Sequence, residues 1–235
     1  MKMKLLVALA ITSVVIPLSS ALAVTYNVND TAIFGSGNPD TGWTVESGGG
    51  VTLGLRGKNR TTGDTSNVNG DYAVPTGFAA LNRGFGNAEF SVDTGASTLL
   101  ASGLTFWFGF DTDASGNNLF TYLPLAAVTD SWYGNDSTAN GGGTVGTYAL
   151  AAIHSEMQNS INQFHLGVNP LVDGTYEYEL FATQGTLSTD TRVASVGVTI
   201  QVGQGGTSVP DTGSSLGMLA AGFTGLGLLR RKLVK

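Results

Sequence analysis

The sequence predicts an all-β protein: an antiparallel β-sandwich, a jelly-roll-like ectodomain, flanked by a signal peptide and a single C-terminal transmembrane helix. Three observations predict it. Short runs in the middle of the 235-residue chain alternate apolar and polar residues, glycine and asparagine clusters separate those runs, and an uncharged apolar run lies close to each end.

At the start, Lys2 and Lys4 precede an apolar run over residues 5–16, followed by Pro17, Ser19 and Ser20 and then Ala21, Leu22 and Ala23. A basic start, an apolar centre and small residues at the cut are the order of a secretory signal. The centre is too short to span a bilayer, which takes ~20 residues for a core of ~30 Å. Residues 1–23 are therefore expected to pass the translocon and be removed by signal peptidase, with Ala21 and Ala23 at the cleavage site.

Residues 24–203 are expected to form the domain. Val51, Leu53 and Leu55 alternate with Thr52, Gly54 and Arg56, and Leu104, Phe106, Phe108 and Phe110 share a face. Tyr176, Tyr178 and Leu180 oppose Glu177 and Glu179, and residues 194–202 alternate in the same way. A period of two places successive side chains on opposite faces of a pleated strand, one of them buried. Turn clusters at residues 47–50, 69–71, 135–137 and 140–143 punctuate these strands, a spacing that argues a sandwich or jelly roll. One helix is expected over residues 148–157, where Leu150, Ile153 and Met157 share a face; a strand over residues 151–156 is the competing reading.

The exported part holds five basic residues, Arg56, Lys58, Arg60, Arg83 and Arg192, against sixteen acidic ones. Nucleic-acid binding, which requires a basic face, is excluded as an expectation. There is no cysteine, so stability comes from packing, hydrogen bonds or metal and not from disulfides.

Candidate chemistry in the domain is sparse. The two histidines, His154 and His165, lie in no nucleophile motif, and no enzymatic activity is expected. Glu177 and Glu179 share a strand face about two rises of ~3.3 Å apart, a spacing open to glycoside hydrolysis, but alternate tyrosines make that face the solvent side. Asp111, Asp113, Ser115 and Asn117 offer oxygens at alternate positions with Gly116 sixth, as in the first half of a calcium loop. Tyr122 stands where the closing glutamate belongs, and a hairpin turn explains the segment without metal, so calcium is the only cofactor to consider. Trp132 and Tyr133, beside Gly134 and Asn135, are expected on a loop and are the candidates for stacking on sugar rings.

Residues 204–208 read as a linker, and residues 209–235 as a sorting signal. Val209, Pro210, Asp211, Thr212 and Gly213 precede an uncharged run over residues 214–229, and Arg230, Arg231 and Lys232 follow. As a helix rising ~1.5 Å per residue, this run covers ~24 Å, a marginal span. The basic cluster retains the tail on the cytoplasmic side, leaving the domain outside. Gly213, Gly217, Ala221 and Gly225 line one helix face, a small-residue stripe suited to close helix approach.

The order of motif, apolar run and basic end resembles the sorting signal of the PEP-CTERM class, closest to its VPDSG variant, with Thr212 where serine is usual. Residues 209–213 are also similar to the LPxTG signal of sortases, with valine for leucine; the opening valine and the short glycine-rich run favour the first. The resemblance implies an exosortase-like membrane protease as partner, with exopolysaccharide as a further one. It implies anchoring in the membrane before processing, then a place at the cell surface or outside the cell. On this reading the protein has a structural or adhesive role in the envelope or extracellular matrix. A calcium-assisted carbohydrate-binding, lectin-like module is the alternative, and a glycoside hydrolase the least favoured.

Overall fold

The computed structural model describes residues 23–115 and 119–205. Among the described residues fifteen strands follow one another: β1 (Thr25–Val28), β2 (Trp43–Gly48), β3 (Val51–Asn59), β4 (Asn67–Val68), β5 (Asp71–Val74), β6 (Phe78–Ala79), β7 (Arg83–Gly84) and β8 (Gly86–Asp93), then β9 (Thr105–Asp111), β10 (Phe120–Pro124), β11 (Ser131–Gly134), β12 (Thr144–Gly146), β13 (Glu156–Asn162), β14 (Gly174–Thr183) and β15 (Arg192–Val202). They build a seven-stranded sheet in the order β1-β2-β3-β8-β13-β11-β12, a six-stranded sheet in the order β10-β9-β14-β15-β5-β4, and the β6–β7 hairpin. Pairing is antiparallel except between β15 and β5.

Period-two alternation produces the core. Val51, Leu53 and Leu55 of β3, with Ala88, Phe90 and Val92 of β8, face Phe106, Phe108 and Phe110 of β9 and Tyr176, Tyr178 and Leu180 of β14 in one buried cluster. Val196, Val198 and Ile200 of β15 join them. Glu46, on β2, reaches across to accept the backbone N–H of Ser195 at 3.0 Å and so ties one sheet to the other.

Residues 29–42 form a strap over the outer face of the seven-stranded sheet, where Ala32 and Phe34 pack with Trp43 in a second cluster. Gln158 fixes the strap: its Oε1 accepts from Ile33 N at 2.9 Å and its Nε2 donates to Thr31 O at 2.9 Å.

The helix expected over residues 148–157 is corrected. Residues Tyr148–Ala152 make a 3₁₀ turn and Glu156 already belongs to β13. Ser155 N donates to Asn135 Oδ1, and Glu156 pairs with Asp93 and Gly134 on the two flanking strands, so ladder bonds take the place of helical ones. Among the described residues no helix is long and apolar enough to cross a membrane. The signal peptide and the span over residues 214–229 lie outside the described residues.

Candidate functional site

The outer face of β3, β8 and β13 is a polar ladder. Strand register sets Thr52 beside Asp93 and Glu156, Gly54 beside Ser91 and Gln158, and Arg56 beside Glu89 and Ser160. Under the strap, Arg56 Nε donates to Glu89 Oε2 at 2.7 Å, Lys58 ion-pairs with the same carboxylate, and Ser160 donates to its Oε1 at 2.7 Å. The Arg56 guanidinium lies 4.1 Å from the Trp43 ring centroid and donates to the carbonyls of Pro39 and Thr41. Burial lowers the Lys58 pKa, and the neighbouring Glu89 opposes that shift.

Each end of the ladder opens into a cavity. One, of about 460 Å³, is lined by Phe34, Asn38, Lys58, Arg60, Asn87 and Ser160 among others. The other, of about 280 Å³, gathers Asp30, Asp93, Asp136 and Glu156. Burial, followed by repulsion from Asp30, Asp93 and Asp136, pushes the Glu156 carboxyl up to about 8, and burial raises Asp30 and Asp93 as well. This pocket holds a proton at neutral pH, with Glu156 Oε1 accepting from Gln158 Nε2 at 2.6 Å. Among the described residues no group of three or more His, Cys, Asp or Glu side chains is arranged to hold a metal ion.

The outer face of the six-stranded sheet carries a furrow of about 340 Å³ lined by Asp71, Phe120, Glu177, Glu179, Gly197 and Thr199 among others. Beside it Phe120 stacks on Tyr122 at 5.8 Å, Tyr122 meets Phe181 edge-on at 5.3 Å, and Phe181 stacks on Trp107 at 6.3 Å. Arg192 lies 3.8 Å over the Phe181 ring and ion-pairs with Glu179, which also accepts from Ser195 Oγ at 2.9 Å. Burial first, then Asp111 and Asp71, raises the Glu177 pKa. An aromatic edge beside hydrogen-bonding groups suits a polyhydroxylated ring.

The residues singled out by sequence fall in separate places. Asp111 is wholly buried at the end of β9, its Oδ1 accepting from Asp113 N at 2.8 Å, and Asp113 Oδ1 accepts from Ser115 N at 3.0 Å. These are local side-chain turns that close the segment on itself. Asn117 lies outside the described residues. Trp132 and Tyr133, expected on a loop, belong instead to β11. Tyr133 is wholly buried in the main core because strand alternation turns it inward, and its ring offers no face to a sugar; Trp132 is half-buried against the strap cluster. His154 packs beside Tyr133 at 6.3 Å, whereas His165 is exposed on a separate turn. Glu177 and Glu179 lie on the outer face and Tyr176 and Tyr178 inside. Ala23 is exposed at the start of the described residues, and Ala21 lies outside them. Val209, Pro210, Asp211, Thr212, Gly213, Arg230, Arg231 and Lys232 lie outside them too.

The Asp30–Asp93–Asp136–Glu156 pocket has no local signature, since its members come from four separate segments. The available hint was the polar phase of residues 86–93, where Asn87, Glu89, Ser91 and Asp93 alternate with a fully apolar set. No curated protein matches the chain. Residues 208–233 match the model of the VPDSG-CTERM motif, and the chain thus carries a PEP-CTERM-type sorting tail.

Proposed function

We propose that this protein is an exported component of the cell surface or extracellular matrix, structural or adhesive in role and without enzymatic activity. The observation that carries the reading is the sorting tail at residues 208–233, which implies export and membrane anchoring before processing by an exosortase-like protease. The two-sheet domain supports it: a packed β-fold is a rigid unit for display outside the cell. Deleting residues 209–235 should convert a membrane-associated protein into a freely soluble one. Changing Pro210 and Asp211 to alanine should leave the chain in the membrane with its tail uncut, since the apolar run persists while the recognition element is lost. Fractionation with an antibody to the domain distinguishes the outcomes, and processing of the double variant at the parent's rate would reject the sorting reading.

Carbohydrate binding is the second reading, favoured by the aromatic-edged furrow at Phe120, Glu177 and Thr199. A glycan array with and without chelator tests it. Binding that survives Phe120→Ala would reject the furrow as the site.

A further inference from the structure

Five large apolar side chains are exposed together at one end of the domain. Leu81 is 82% exposed, Leu171 64%, Val172 48%, Phe164 43% and Phe78 40%. Contacts unite the segments that carry them. Phe78 and Phe164 meet edge-on at 5.6 Å, Gly77 N donates to Pro170 O at 2.6 Å, and Leu171 and Val172 follow directly. An exposed cluster of this kind marks an interaction surface.

Leu81 sharpens the point. It sits at the tip of the β6–β7 hairpin with φ of 66° and ψ of 27°, a left-handed conformation that crowds the Cβ of a non-glycine residue against its own backbone. The side chain touches little of the domain, so the folded state alone gains nothing in return from placing leucine there.

The chain leaves the domain at the same end. Gly203 N donates to Val74 O at 2.8 Å, and a side chain at Gly203 would meet Thr76 and Asp173, the residues next to Gly77 and Val172. From Gly205 to the uncharged run at Ser214 is nine residues, a reach of at most ~30 Å. The carboxylates Asp30, Asp93, Asp136 and Glu156 lie at the opposite end: β3, β8 and β13 run from the Thr52–Asp93–Glu156 row to Asn59, Gly86 and Asn162, beside the hairpin. The acidic pocket is therefore distal to the tail; the distal end also exposes Leu100, Ile153 and Leu187, so what singles out the tail side is the cluster of five around the hairpin tip and the exit of the chain beside it.

We propose that the end formed by Phe78, Leu81, Phe164, Leu171 and Val172 is a lipid-facing surface that rests in the bilayer interface while the tail anchors the chain. The proposal rests on the anchoring reading and adds to it an orientation: domain held against the membrane, hairpin tip inserted, carboxylate pocket outward. Shallow insertion of an apolar cluster gains free energy in proportion to the area buried, and the tail supplies the high local concentration that a small patch needs.

The test places the full chain in phosphatidylcholine vesicles with and without brominated acyl chains. Leu81→Trp is compared with Val145→Trp, a site 51% exposed on the edge strand β12 of the seven-stranded sheet. Bromine quenches only tryptophan within the bilayer, so the emission added by Leu81→Trp should fall at least twofold while that added by Val145→Trp is unchanged. Flotation of the same vesicles reports anchoring separately. Chains that float but show equal quenching at the two sites would overturn the lipid-facing surface and leave the anchor standing; chains that do not float would overturn both.

Discussion

Burial moves the chemistry of Glu156 far from its solution behaviour. Its carboxyl is raised from the ordinary 4.5 to about 8, by burial first and then by three neighbouring carboxylates. In the unfolded chain it ionises near 4.5; in the fold it keeps its proton to about 8. The unfolded state therefore binds fewer protons across that window, and stability falls as pH rises from about 4.5 to about 8 and then levels. Glu156→Gln removes this dependence while keeping shape, and should raise the melting temperature at pH 8 and change it little at pH 4. The gain is bounded by about 5 kcal/mol, at ~1.4 kcal/mol for each tenfold change in the proton equilibrium. Thermal melts at the two pH values check it, and an equal shift at both would show that ionisation is not the cause. Glu89 lies further along the same ladder, under the strap. Wholly buried, it neutralises both Arg56 and Lys58, and Glu89→Ala leaves two cations under the strap without their carboxylate. Breaking such a buried pair costs about 3–5 kcal/mol. Urea unfolding should show a loss of that order, and a loss below ~1 kcal/mol would mean that water reaches the site.

At the scale of elements, close approach between strands decides more than propensity. Gly57 ends the apolar side of β3, and a Cβ there would lie 2.6 Å from Tyr72 Cβ and 2.7 Å from its Cγ. Tyr72, on β5 of the other sheet, cannot retreat, since its hydroxyl donates to Gly42 O at 2.6 Å. Gly57→Ala should therefore cost about 1–3 kcal/mol, as overpacking does, measured as a lower denaturation midpoint at unchanged slope. A neutral outcome would show that the sheets shift apart freely. The strap is the second element of consequence. Its residues carry little alternation, yet Phe34 and the neighbouring Trp43 cover the Arg56 and Lys58 cations, and its backbone carbonyls at Pro39 and Thr41 take the Arg56 donors.

Over the whole molecule, the buried cluster shared by the two sheets draws on residues upstream of Gly203. Removal of residues 209–235 is accordingly expected to leave the melting temperature within ~4 °C of the full chain in detergent micelles, the most that about 1 kcal/mol gives in a domain of this size. A larger fall would mean that the tail supports the fold. The sequence alone determined the alternating strands around Phe106, Phe108 and Phe110 and around Tyr176 and Tyr178, because period two is a local property of the chain. It determined the tail as well, since motif, apolar run and basic end are contiguous. The loop expected at Trp132 and Tyr133 failed because neighbouring glycine and asparagine signal a turn without saying where the strand before it begins. Only the tertiary structure brought Asp30, Asp93, Asp136 and Glu156 into one pocket, folded residues 29–42 over Arg56 and Glu89, and set Leu81, Phe164 and Leu171 at the end from which Gly203 departs. Those arrangements depend on strand order and register between segments far apart in sequence, and a residue's own neighbours carry no record of which distant strand will lie beside it.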